Sequence, residues 1–239
     1  MSLPNIRKIF IPDPGMTFFD TDLDSADLRI VQRESNCRLL GEWLDAGLKP
    51  YVEVAKEYYH DKTITKAHPS YGRFKSLCHA THYLGQPRTI AGQANIGLAV
   101  SEVERIQKWY FGLCPEIKQW HERLIAQLNK TATIQNVWGY RRQFMDRIDT
   151  AVYREAAAWI PQSTVGIIIN HAYVAIHDKV PEAHVLLQVH DSLAGQYPTA
   201  RPDILRRIVE ECHISVPYPV PLVIPVGVKT STKSWGDCQ

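Results

Sequence analysis

Apolar and polar residues alternate from Met16 to Leu23, and this period of two predicts a β-strand with Asp20, Asp22 and Asp24 on one face and Phe19, Thr21 and Leu23 on the other. Before it, Ile6 to Phe10 reads as an extended stretch entering the turn Ile11-Pro-Asp-Pro-Gly15. From Ser25, read as an N-cap, the spacing becomes helical through Leu28, Val31 and Leu39, and helix continues with breaks to about residue 60. Another helix starts near Tyr71, after Pro69 and Ser70, and runs to about Tyr83, where Gly85 and Pro87 end it. Ser101 to Trp109 and Pro115 to Asn129 read as two more, the second with Pro in its first turn. Thr131 to Trp138 and Arg141 to Met145 resemble strands around a turn at Gly139. Ala151 to Ala158 and Val165 to Ile176 read as helical stretches interrupted by Pro161. A β-hairpin follows, Ala183 to Val189 and Ser192 to Gln196 about a His190-Asp191 turn, then a short amphipathic helix, Asp203 to His213, and a last strand, Leu222 to Lys229. Strands at both ends and helices between them predict an α+β chain with a helical insertion.

Composition narrows the class. With 239 residues, 45% apolar and 22% charged, the chain is long and apolar enough for a real core, which excludes disorder. A formal charge of +2 gives no whole-chain nucleic-acid footprint, so any charge signal is local. No apolar run approaches the roughly eighteen residues of a membrane span, and Met1 is not followed by a charged and then apolar leader. The expectation is a soluble, intracellular protein. Five widely spaced cysteines without a CxxC pair read as reduced thiols.

The local charge is segregated. Residues 13 to 28 hold Asp13, Asp20, Asp22, Asp24 and Asp27 with no Lys or Arg, whereas residues 62 to 88 hold Lys62, Lys66, Arg73, Lys75 and Arg88 with no Asp or Glu. Carboxylates crowded on one strand face repel and raise each other's pKa unless a cation sits among them, and a divalent metal is the usual remedy. The basic segment suits an anion such as polyphosphate, or is simply a solvated face. Asp191, on a turn at the tip of an apolar hairpin, offers a second rigidly held carboxylate. Two carboxylates from separate strands are what two-metal phosphoryl transfer requires. Asp20 and Asp24 read as extra ligands or as salt-bridge partners. His79 and His82 lack a third ligand in register, so stacking or packing is the better reading than zinc. Trp109, Trp120, Trp138 and Trp159 read as core, and Arg88, Arg141 and Arg142 as phosphate contacts or solvated surface.

Three blocks, in order, resemble motifs A, B and C of the A-family DNA polymerases. Asp22-Leu-Asp-Ser-Ala-Asp27-Leu-Arg29 is similar to D-Y-S-Q-I-E-L-R, which implies that Asp22 binds both catalytic metals and that Asp27, one methylene shorter than the family's Glu, screens the sugar 2′ position. Lys75-Ser-Leu-Cys-His79-Ala-Thr-His-Tyr83 is similar to K-x-x-x-F/Y-G-x-x-Y, implying a triphosphate contact for Lys75, with Arg73 nearby, a stacking role for His79, and a place near the templating base for Tyr83. Tyr71 stands where the family has Arg, and Leu84 where Gly follows the Tyr. Leu187-Gln-Val-His-Asp191-Ser192-Leu is similar to L-Q-V-H-D-E-L, implying that Asp191 is the second metal-binding Asp and that His190 lies by the primer terminus, with Ser192 in place of Glu. Gly139-Tyr-Arg141-Arg142 and Pro161-Gln162-Ser163-Thr164 resemble the family's G-R-R turn and N-x-P-x-Q-G helix start, which implies DNA contacts for Arg141, Arg142, Gln162 and Ser163.

The resemblance runs from about Asn5 to Asp237, including a terminal strand and tail that make Gln239 read as a natural C-terminus. It implies an antiparallel palm sheet with a helical fingers insertion, without thumb or exonuclease: palm over 1–37 and 130–239, fingers over 38–129. The implied activity is DNA-directed DNA polymerisation, dNMP transfer to a primer 3′ end with two Mg²⁺ ions for which Mn²⁺ substitutes, in a minimal or split phage-type replicase. Implied partners are a DNA primer-template, dNTP and a protein supplying a thumb or N-terminal half, with no membrane, in the cytoplasm of a bacterium or phage-infected host. The rival reading is a non-catalytic nucleic-acid-binding or assembly subunit derived from a polymerase.

Overall fold

The computed structural model describes residues 5–238. It opens with a 3-10 turn, Ile6–Ile9, followed by β1 (Met16–Leu23), α1 (Ala26–Ser35), α2 (Arg38–Asp45), α3 (Pro50–Tyr59), α4 (Pro69–His82), α5 (Pro87–Ala91), α6 (Val100–Leu113) and α7 (Pro115–Thr131). Next come β2 (Thr133–Gln135), β3 (Arg141–Gln143), α8 (Thr150–Lys179), β4 (His184–Val189), β5 (Ser192–Pro198), α9 (Pro202–Glu211), β6 (Ser215–Val216), β7 (Leu222–Val223) and β8 (Val226–Ser231). A second 3-10 turn, Trp235–Asp237, closes the chain. Two compact units result: residues up to Ala26 with those from Ser163 onward, and Asp27–Gln162.

The first unit is built on a four-stranded antiparallel sheet in the order β4-β5-β1-β8. Alternation along β1 buries Phe19, Thr21 and Leu23 on one face, while Phe18 packs on the other with Ala194, Leu187, Val189 and Trp235. Trp235 ties the segment before β1 to the one after β8: its backbone N–H donates to the Phe10 carbonyl at 2.8 Å, its ring meets Phe10 edge-on at 5.7 Å, and Arg7 lies 4.4 Å above it. Ile6 to Phe10, expected to be extended, therefore coils into a 3-10 turn capped by the Asn5 side chain. The expected strand Leu222 to Lys229 is two strands, because Pro225 offers no N–H to a ladder: β7 pairs with β6, and β8 with β1. Ser25 is no ordinary N-cap, since its φ of 56° is left-handed rather than extended.

The second unit holds two apolar clusters. One gathers α1 to α7 around Phe74, Leu77, Ile106 and Tyr110; the other packs Val31, Ile134, Phe144, Val152, Ala156 and Ile160 against Trp120, Leu124 and Leu128 of α7. That second cluster extends the unit on both sides of the expected 38–129 span. Pro161 does not interrupt the helix there: α8 runs unbroken through it, capped by the Asp149 carboxylate at the Ala151 N–H (2.8 Å), because buried residues on either side hold the helix across one missing N–H. Pro87, read as a stop, instead occupies the first turn of α5. Trp120 is buried, whereas Trp109, Trp138 and Trp159 are half-buried. All five cysteines are free thiols. No helix among the described residues is long and apolar enough to cross a membrane.

Candidate active site

The sheet register sets Asp22 opposite Ser192 of β5 on one side and Gly227 of β8 on the other. These cross-strand neighbours are too small to cover the Asp22 carboxylate, which is exposed. Asp191 is the second residue of the two-residue turn between β4 and β5, after His190, whose φ of 55° is the left-handed conformation that tight hairpins use. The Leu23 N–H donates to the Asp191 carbonyl at 3.2 Å, so the end of β1 is tied directly to the hairpin tip. Asp22, at the end of β1, and Asp191, in the turn that enters the adjacent strand β5, thus stand at the same end of the sheet. Their hard oxygen donors fit a divalent ion such as Mg²⁺ or Mn²⁺ that leaves its other positions to water and phosphate oxygens. No group of three or more potential ligands clusters among the described residues.

The rest of the acidic run is spent elsewhere. Asp20, read as an extra ligand or ion-pair partner, accepts from the Trp235 indole N–H at 2.9 Å and faces Lys229 across the ladder. Asp13 exchanges two hydrogen bonds with the Gln196 amide, at 2.6 and 2.9 Å. Asp24 lies past the end of β1, its N–H donating to the Pro225 carbonyl at 2.8 Å. Ser192 is buried, and its hydroxyl donates to the Val189 carbonyl at 2.9 Å.

In the second unit, α4 starts with His68 accepting the Ser70 N–H at 3.2 Å and with Pro69 in the first turn. Lys75, His79 and Tyr83 recur every four residues and share one face, with Lys75 exposed. The Tyr83 hydroxyl donates to Asp27 Oδ2 at 2.8 Å, His79 Nε2 lies 3.9 Å from the same oxygen, and the His79 and Tyr83 rings meet edge-on at 4.6 Å. The fold therefore brings Asp27, His79 and Tyr83 together. Burial, then the Asp27 charge, raises the Tyr83 hydroxyl well above its usual range, so it stays a donor. Burial lowers the His79 pKa, Asp27 opposes this, and Lys75 reinforces it. Arg73 is not on this face; two residues from Lys75 is about 200° of helix turn. Its Nε is buried without a hydrogen-bond partner.

Leu84, where the resemblance implies Gly, has a left-handed φ of 57°. It donates to the Thr81 carbonyl (3.1 Å) while Gly85 donates to that of Ala80 (2.8 Å), the Schellman arrangement that ends a helix.

The remaining expected contacts lie on several elements. Asn136 Oδ1 accepts from the Trp138 and Tyr140 N–H groups, each at 3.1 Å, and stiffens the β2–β3 turn. Arg141 is exposed, with Nε donating to Gln135 at 3.1 Å. Arg142 is ion-paired with Glu155 and lies 5.0 Å over the Phe144 ring. Gln162 is exposed and Ser163 half-buried on α8, and His190 is exposed beside Asp191.

Sequence reasoning missed a buried polar group behind α4. His82 Nε2 and the Tyr110 hydroxyl are 2.8 Å apart, and His121 Nε2 donates to the His82 carbonyl at 2.8 Å. No short motif marks His121 of α7, nor Gln107 of α6, whose amide donates to Thr81 Oγ1 and the Gly85 carbonyl, each at 3.0 Å. Burial lowers both the His82 and His121 pKa values. Each ring is neutral in the fold but free to protonate near pH 6.5 once unfolded, so stability is full above that pH and falls below it. Between pH 7.5 and 5.5 the expected loss is about 1 kcal/mol for His82 and less for His121, read as a falling urea midpoint whose slope His121→Gln reduces. A midpoint independent of pH would show that neither ring is held neutral.

The sequence profile of DNA polymerase family A matches residues 2–237. The thermostable DNA polymerase I of Thermus filiformis is 25% identical over 245 residues, covering 93% of this chain and 28% of that protein. The DNA polymerase of Mycobacterium phage D29 is 22% identical over 236 residues, covering 97% of this chain and 37% of its own. Among solved structures, the POL domain of Pol1 from M. smegmatis, in complex with DNA primer-template and dNTP, superposes with a TM-score of 0.84 at 21% identity, over 96% of this chain and 42% of that one. This chain thus spans less than half the length of each of these relatives. On the profile match and the shared fold, the chain belongs to DNA polymerase family A.

Proposed function

We propose that this chain is the nucleotidyl-transfer part of a DNA-directed DNA polymerase, adding dNMP to a primer 3′ end within a minimal or split phage-type replicase. The observation that carries the reading is the Asp22–Asp191 platform, a carboxylate near the end of β1 and one in the β4–β5 turn, tied by the Leu23–Asp191 backbone bond. In this reading the sheet unit is the palm and the α4 region belongs to the fingers. Asp22 and Asp191 would hold two divalent ions, which when bound lower the pKa of the primer hydroxyl and offset charge on the pyrophosphate leaving group. Lys75 neutralises triphosphate charge, with Arg73 a more remote cation. His79 stacks beside the sugar, and Tyr83 with Asp27 limits room at its 2′ position. Arg141, Arg142, Gln162, Ser163 and His190 contact the primer-template. The length of the relatives that this chain does not span would supply further duplex grip, as additional chain or as a separate protein.

Ser192 favours the second reading, a non-catalytic nucleic-acid-binding or assembly subunit, because its hydroxyl is turned to the Val189 carbonyl where the family has a carboxylate. Primer extension at low salt with Mg²⁺ or Mn²⁺ and four dNTPs separates the two: extension establishes the polymerase, and its absence together with undetectable Mn²⁺ binding establishes the scaffold.

DNA contact by the β2–β3 hairpin has its own test. Glu155→Gln frees Arg142 from its ion pair, and primer-template binding is expected to tighten about threefold at low salt, with a steeper salt dependence. Fluorescence anisotropy at several salt concentrations measures this; an unchanged affinity would take Arg142 off the DNA path.

A further inference from the structure

We propose that Gln107 and His121 are positioning residues for the Tyr83–Asp27 pair and so set selectivity at the sugar of the incoming nucleotide, an inference that rests on the nucleotide-pocket reading above. A helix leaves its last carbonyls without intrahelical partners, and the way they are satisfied decides how the following residues are held. At the end of α4, the turn itself satisfies Ala80 and Thr81. The next carbonyl, that of His82, accepts from His121 Nε2 of α7 at 2.8 Å, which requires the ring proton on Nε2. From α6, the single side-chain amide of Gln107 donates to Thr81 Oγ1 at 3.0 Å and to the Gly85 carbonyl at 3.0 Å. Thr81 Oγ1 in turn donates to the Leu77 carbonyl at 2.8 Å.

Residues 81, 82 and 85 are therefore gripped from two other helices, and Tyr83 lies inside that bracket with its hydroxyl 2.8 Å from Asp27 on a third. Thr81, His82, Gln107 and His121 are all buried. In such a site a donor or acceptor left without its partner is penalised, so the bracket has one satisfied arrangement. A Gly85 side chain is excluded as well, because a Cβ there would lie 2.6 Å from the Ala80 carbonyl oxygen. Neither Gln107 nor His121 touches the Tyr83–Asp27 bond; they act by fixing the backbone from which Tyr83 reaches Asp27.

The test uses the full chain labelled with ¹³C-tyrosine, the Tyr83 ring signal being identified by its loss in Tyr83→Phe. Asp27→Asn gives the signal's position when the charged acceptor is removed. In Gln107→Leu and His121→Leu the Tyr83 signal is expected to move toward that position, while His121→Gln, which keeps a donor, stays near wild type. In primer extension, the preference for dNTP over rNTP is expected to fall about tenfold in Gln107→Leu, as in Tyr83→Phe, without an added effect in the double variant. Folded variants with an unmoved Tyr83 signal overturn the proposal. Should Gln107→Leu fail to fold, Thr81→Val decides, because it removes one acceptor and leaves the Gly85 bond. A wild type that extends no primer defeats the polymerase reading alone, since the ring signal is read without turnover.

Discussion

Asp191→Asn is expected to reduce dNMP incorporation by on the order of 1,000-fold, with the thermal midpoint within a few degrees of wild type. The tie between hairpin and β1 uses the Asp191 backbone carbonyl, which the amide variant retains, so the hairpin keeps its place. What changes is charge: an amide is a far poorer partner than a carboxylate for a divalent cation. Asp22→Asn should lose as much, and the double variant little more, because groups that act as one unit do not add. Primer extension with Mg²⁺ and Mn²⁺, alongside melting curves, measures all three proteins. Activity retained in either single variant would remove that residue from the metal assignment.

Gly195→Ala is expected to destabilise the chain by about 3 kcal/mol and to lower incorporation with it. Gly195 sits in β5 between Val185 of β4 and Phe19 of β1. A Cβ there would stand 2.2 Å from the His184 carbonyl oxygen and 2.9 Å from the Phe19 ring. The first is backbone and the second a fully buried side chain, so neither gives way cheaply. Any shift passes along the hairpin to Asp191 at its tip. Gly166→Ala is the control: it lies in α8 with nothing within 4 Å of an added Cβ, and should stabilise by about 0.5–1 kcal/mol. Equal effects of the two substitutions on the urea midpoint would show that the Gly195 contact relaxes freely.

The local pattern specified β1, the hairpin turn and α4 because each is dictated by periodicity and turn chemistry. Met16–Leu23 alternates, His190-Asp191 separates two apolar runs, and Pro69 and Ser70 signal the start of α4. The resemblance of three motifs also singled out Asp22, Asp27, Lys75, His79, Tyr83 and Asp191 as candidates, since motif residues and their spacing are properties of the chain alone. Other outcomes depended on partners far away in sequence. Asp20 looks like Asp22 in the strand, and only the arrival of Trp235, 215 residues later, makes it structural. Pro161 reads as a break, and only buried side chains on either side carry α8 through it. Gln107 and His121 have no local signature at all, because a polar side chain inside an apolar face gains meaning from the helix end it satisfies. The sequence alone thus determined which residues carry charge and where the backbone turns. The tertiary structure decided which carboxylates stand at the sheet end, which are consumed as ties, and what grips the end of α4, since burial and long-range hydrogen bonding exist only once distant segments meet.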